Sequence, residues 1–141
     1  MEQIQIVYAT KTQHSKKIAE AMSTALNTKA ENINTNPVII NSTLLFIVGG
    51  IYGGKSLTEL VTFVNGINGQ LVKKVVLITS CVSEKQGQAT IRQILETKGI
   101  TVCDELICPG NFLFIKLGHP NKEDLKIIIN FASEAMERFK A

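Results

Sequence analysis

With 141 residues, 45% of them hydrophobic and 19% charged, the chain has the size and apolar content of one folded domain over residues 1–141, which excludes a disordered class and removes any need for metal or disulfide staples. The net charge of +3 comes from scattered lysines without an Arg and aromatic patch, which argues against a nucleic-acid partner. Cys81, Cys103 and Cys108 are odd in number and lack metal-ligand spacing, so they read as thiols rather than as a framework or a metal centre.

In chain order, Ile4, Ile6 and Val7 predict a first strand, and Ile18, Met22, Ala25 and Leu26 recur at helical spacing behind it. Lys29 to Ile33 reads as a short, polar edge strand. Thr35 to Thr43, opened by Pro37, is too short for an ordinary crossover and is expected to hold at most one helical turn. Leu44 to Val48 is continuously apolar, as a parallel strand buried on both faces should be, and is expected to stop at Gly49-Gly50. Leu57, Leu60, Val61 and Val64 mark a helix closing near Gly66 and Gly69, and Val75 to Thr79 predicts another buried strand. A helix carrying Ile91, Ile94 and Leu95 stops at Gly99, and Ile100 to Ile107 reads as the last strand region. The final helix is capped by Asn121 and buries Leu125, Ile128, Ile129, Ala132, Met136 and Phe139.

Strands alternating with helices predict an α/β three-layer sandwich around a five-stranded parallel sheet. Ligands bind such sheets beyond the carboxyl ends of the strands, where the strand order reverses. Three runs reach that edge: Ala9 to Ser15, Gly49 to Ser56, and Ser80 to Gln86. In the first, Thr10, Thr12 and Ser15 place three hydroxyls before a helix amino end, where unpaired N–H groups and the helix dipole favour an anion. Neither Walker nor dinucleotide-binding glycine spacing is present. Lys11 adds charge, His14 offers a backbone amide, and simple helix capping by the hydroxyls is the competing reading.

The first run resembles the loop of the flavodoxin family, roughly Ser/Thr-x-Thr-Gly-x-Ser/Thr, which holds the phosphate of flavin mononucleotide (FMN). Thr10, Thr12 and Ser15 match, and Gln13 stands where the family has glycine. The second run, Gly49-Gly50-Ile51-Tyr52-Gly53-Gly54-Lys55, is similar to a flavodoxin subgroup, and Ser80-Cys81 matches the third loop, with Val82 in place of a glycine. Cys108-Pro109-Gly110-Asn111-Phe112 and Gly118-His119-Pro120-Asn121 resemble stretches of small bacterial flavodoxin-like proteins. The resemblance implies a sheet of order 2-1-3-4-5 and FMN as cofactor. It also implies a site made of Thr10, Lys11, Thr12, Gln13, His14 and Ser15 at the phosphate, Gly50, Ile51, Tyr52, Gly53 and Gly54 at the ring, and Ser80, Cys81 and Val82 at its pyrimidine side. Tyr52 would lie against the ring with Ile51 beside it.

The expected activity is electron transfer to an unidentified redox partner protein, with no residue acting as a catalyst. The net positive charge implies a higher potential for full reduction than in acidic relatives. Two other readings stay open: a flavodoxin-fold interaction or regulatory module without FMN, motivated by Gln13 and Val82, and a flavin-dependent oxidoreductase acting on a quinone or tetrapyrrole. No apolar run approaches the roughly 20 residues needed to span a bilayer, and the first residues, MEQIQIVY, carry no basic flank or cleavage signal, so a cytoplasmic location is expected.

Overall fold

Strand β1 (Ile4–Tyr8) and strand β3 (Ser42–Tyr52) sit side by side in the middle of the molecule, and everything else is arranged on their edges and faces. The computed structural model describes residues 4–9, 14–40, 42–52, 55–81, 88–108 and 122–139. Along them run helix α1 (His14–Leu26), β2 (Ala30–Asn32), a single 3-10 turn (Ile33–Thr35), the two-residue β4 (Lys55–Ser56), α2 (Thr58–Asn65), β5 (Val72–Cys81), α3 (Ala89–Thr97), β6 (Thr101–Cys108) and α4 (Lys122–Phe139). The sheet order is β2-β1-β3-β5-β6, parallel throughout, with β4 folded back antiparallel on the end of β3. This is the expected flavodoxin-like order with one short strand added.

Alternation along the strands divides the core in two. Ile6, Leu44, Phe46, Val48, Val76 and Ile78 face Ile18 and Met22 of α1 and Ile128 and Ala132 of α4. Val7, Leu45, Ile47, Val75 and Leu77 face Leu60 and Val64 of α2 and Ile91 and Leu95 of α3. A strand with side chains buried on both faces must be apolar at successive positions, which is why Leu44 to Val48 has no polar residue. Each large side chain so buried contributes roughly 1.5–3 kcal/mol.

The helix ends follow local chemistry. At the end of α3, Gly99 has φ of +81°, its N–H donates to Glu96 O at 3.0 Å, and Ile100 N–H donates to Leu95 O at 3.0 Å. This is a Schellman motif, and its hydrophobic contact is supplied by Ile100 and Leu95, both buried. The stop expected at Gly99 is therefore the one formed. α2 ends differently, since Gly66 keeps right-handed backbone. Gly69 answers to space instead: a Cβ there would lie 2.7 Å from Lys98 O. Lys74 Nζ donates to Phe139 O at 3.1 Å, placing a cation at the negative end of α4.

Several boundaries differ from expectation. Ile33 belongs to the 3-10 turn, so the helical turn precedes Thr35 to Thr43, where no further helix lies among the described residues. The segment after it is held instead by a side chain. Gln5, 8% exposed, donates from Nε2 to Val38 O (3.1 Å) and accepts at Oε1 from Ile40 N–H (3.1 Å) and from the Ser42 hydroxyl, so its amide pairs with extended backbone as a neighbouring strand would. The short β4 is added, and β3 and β5 are longer at both ends than expected, starting at Ser42 and Val72 and running past Val48 and Thr79 to Tyr52 and Cys81. Asn121, the expected cap of α4, and the stretch from Pro109 to Pro120 lie outside the described residues.

Candidate functional site

The carboxyl edge of the sheet gathers the described parts of the three runs. Ala9 extends β1 by one bond, its N–H donating to Val48 O at 3.0 Å, so the chain leaves β1 alongside β3. Thr10, Lys11, Thr12 and Gln13 lie outside the described residues. The chain is described again at His14, the first residue of α1, and at Ser15, which is fully buried. The Ser15 hydroxyl has no hydrogen-bond partner among the described residues. The first turn of α1 carries no acidic residue, so nothing there opposes a negative group.

Gly50, Ile51 and Tyr52 are strand residues rather than loop residues. Parallel register sets Gly50 opposite Ser80 and Ile51 opposite Cys81, which brings the second and third runs together through backbone pairing. Ile51 is 6% exposed, its side chain packed into the protein. Ser80 is nearly buried on the opposite face of the sheet from Thr79. Gly53, Gly54 and Val82 lie outside the described residues.

Gly49 has a different reason to be glycine than the turn expected of it. A Cβ on this residue would lie 2.8 Å from Leu60 Cδ2 and 3.0 Å from Gln88 Oε1, so α2 and Gln88 close onto bare backbone. Gln88 belongs to a polar cluster beneath the third run, with Thr79, Glu105 and Arg92, that sequence reasoning missed. Its one signal is a glutamate inside an otherwise apolar strand ending, Glu105-Leu106-Ile107.

A groove of about 400 Å³ between Asn36, Pro37 and Ile39 on one side and Phe63 and Ile67 on the other precedes β5, at the amino edge of the sheet, and none of the expected site residues lines it. Among the described residues there is no cluster of three His, Cys, Asp or Glu side chains able to hold a metal ion, and no helix long and apolar enough to cross a membrane.

No protein-family model matches the chain, and no curated protein matches it in sequence. Solved structures do match. A flavodoxin from the domain Archaea is similar over 100% of both chains, with a TM-score of 0.70 and 16% identity. The flavodoxin of Fusobacterium nucleatum, solved as a mutant bound to flavin mononucleotide, is similar over 99% of this chain and 98% of its own, with a TM-score of 0.72 and 19% identity. A flavodoxin, WrbA-like protein from Agrobacterium tumefaciens is similar over 98% and 97%, with a TM-score of 0.71 and 11% identity. The protein is an α/β chain of flavodoxin-like fold.

Proposed function

We propose that this chain is an FMN-binding, flavodoxin-like protein that passes electrons to a partner protein. The observation that carries the reading is Ser15: a fully buried hydroxyl without a partner among the described residues, in the first turn of a 13-residue helix, at the sheet edge where this fold binds ligands. A buried polar group left unpaired costs about 1–3 kcal/mol, so such a group in a native protein calls for an occupant. A phosphate would suit that position chemically, because it accepts both from a hydroxyl and from the N–H groups that a helix start leaves without intrahelical partners.

In this reading Ser15 and the first run, Thr10 to His14, hold the phosphate and fix one end of the cofactor. The paired backbones of Gly50-Ile51 and Ser80-Cys81, with Tyr52 next along β3, form the wall along which the ring would lie, with Gly53, Gly54 and Val82 assigned beside it. When bound, FMN supplies the one- and two-electron redox chemistry. The protein's contribution is to bind it, orient it and leave one rim open to a partner.

The test is direct. The purified protein is examined for a flavin visible spectrum and then titrated with FMN and with riboflavin, which lacks the phosphate. Quenching of FMN fluorescence at micromolar protein, with riboflavin binding much more weakly, is expected. Absence of quenching by either flavin would refute the reading and favour the flavin-free module. Rapid turnover with a small quinone, without a protein partner, would refute the carrier role and favour the oxidoreductase.

A further inference from the structure

Glu105 lies on β6, the outer strand of the sheet, yet its side chain is only 10% exposed. A single oxygen of its carboxylate, Oε2, accepts from the Thr79 hydroxyl at 2.8 Å and from the backbone N–H of Gln88 at 2.9 Å. The other oxygen accepts from Arg92 Nη2 at 3.2 Å. Thr79 and Gln88 are fully buried, and Gln88 Nε2 donates back to Thr79 Oγ1 at 2.9 Å, closing a triangle. Thr79 immediately precedes Ser80 and Cys81, and Gln88 is the residue from which α3 starts. One atom therefore receives both flanks of the chain that leaves the third run and returns as a helix.

Two features show that this placement is built rather than incidental. The first is a register shift in β6: Val75 pairs with Val102, but Val76 pairs with Asp104, so Cys103 is an extra residue. Without the shift, Asp104 would stand opposite Leu77, where Glu105 now stands, and its side chain is one methylene shorter. Bulges at sheet edges re-aim side chains in this way. The second is the start of α3, which has no acidic residue in its first turn and no side-chain cap from Gln88. Glu105 does from a neighbouring strand what a glutamate in the first turn does in a capping box, satisfying the N-cap N–H and setting negative charge at the helix's positive end.

We propose that Glu105 is a positioning residue: its carboxylate clasps Thr79 to Gln88 and thereby fixes where Ser80 and Cys81 stand along the ligand site. What they are positioned for rests on the FMN reading; the clasp itself does not. Three variants test it. Glu105→Leu keeps the volume without an acceptor, Glu105→Gln keeps an oxygen for Thr79 and Gln88 and turns an amide toward Arg92, and Thr79→Val removes, at nearly constant shape, the hydroxyl that donates to Glu105 and accepts from Gln88 Nε2.

The first measurement is hydrogen exchange in flavin-free protein, followed at Gln88 and the first turn of α3, with α1 as an internal reference. The second is FMN affinity together with the visible spectrum of the bound flavin. In Glu105→Leu, exchange at the hydrogen-bonded amides of Gln88 and Arg92 should rise about tenfold or more with α1 unchanged, and FMN affinity should fall about tenfold, the size expected for one charge-assisted hydrogen bond. The flavin spectrum should shift with it. Glu105→Gln, which keeps an acceptor but loses the charge and the Arg92 pair, should recover part of all three, and Thr79→Val should also fall between Glu105→Leu and wild type, which serves if Glu105→Leu does not fold. Unchanged exchange in both Glu105→Leu and Thr79→Val would overturn the clasp. Faster exchange with unaltered affinity and spectrum would overturn the positioning role. If the wild-type protein binds no flavin, the FMN reading falls, and the exchange comparison still decides the clasp.

Discussion

Replacing Ser15 by alanine should move two measurements in opposite directions. The Ser15 hydroxyl is fully buried and has no partner among the described residues, so in the ligand-free protein it carries the desolvation cost of an unmade hydrogen bond. That cost is about 1–3 kcal/mol. Deleting one oxygen leaves a space smaller than a methyl group, so most of the cost is recovered, and Ser15→Ala should stabilise the flavin-free protein by about 1 kcal/mol. For 141 residues the unfolding entropy is about 0.3 kcal/mol per kelvin, so the melting temperature should rise by about 3 °C. The same change removes a donor to a charged phosphate, worth about 1.5–3 kcal/mol, so FMN affinity should fall by roughly ten- to a hundredfold. The assay is differential scanning calorimetry of flavin-free protein beside fluorescence titration with FMN. A variant that melts lower and binds FMN as well as wild type would refute the reasoning, because it would mean that the hydroxyl is satisfied inside the protein and takes no part in the site.

Gly49→Ala sets a methyl group 2.8 Å from Leu60 Cδ2 and 3.0 Å from Gln88 Oε1, so thermal unfolding should show a loss of about 1–3 kcal/mol from overpacking; a neutral result would mean that α2 shifts freely. Gln5→Leu removes the amide that holds Val38, Ile40 and Ser42, and should cost about 2 kcal/mol while making residues 36–40 readily cleaved by proteases. An unchanged digestion pattern would count against the side-chain pairing. Burial pushes the Cys103 thiol above its ordinary value of 9.0, with Lys74 opposing and Asp104 adding to the rise. The folded chain therefore keeps the proton longer than the unfolded one: this contribution to stability is complete below the ordinary value and is lost as pH rises from there through the folded value. In a Cys81→Ser, Cys108→Ser background, thiol-reagent kinetics at about pH 8 should be slower folded than unfolded, and equal rates would contradict the burial argument.

The layered fold was legible because burial on both faces leaves a strong trace: Leu44 to Val48 can be nothing but apolar, and Ile18, Met22 and Leu26 can serve a core only at helical spacing. Gly99 was legible because a left-handed helix stop selects glycine locally. The ends of β3 and β5 were not legible. Gly49 and Gly50 look like a turn in one dimension, and only the approach of Leu60 and Gln88, residues distant in sequence, makes Gly49 a strand glycine instead. Glu105 was hidden for a related reason, since its partners Thr79 and Gln88 lie 26 and 17 residues away and a one-residue register shift decides which acidic side chain meets them.

The longer β3 and β5 change the shape of the site. β1 pairs with β3 only as far as Tyr8 opposite Val48, whereas β3 and β5 continue together to Ile51 opposite Cys81. Two paired strands therefore project past the last paired residue of β1, where the sequence suggested three independent loops. A ledge of hydrogen-bonded backbone has less conformational freedom to lose on binding than separate loops do, so its ordering cost is met largely at folding. Affinity should then depend more on what anchors the ledge, Glu105 above all, than on the identities of the side chains along it.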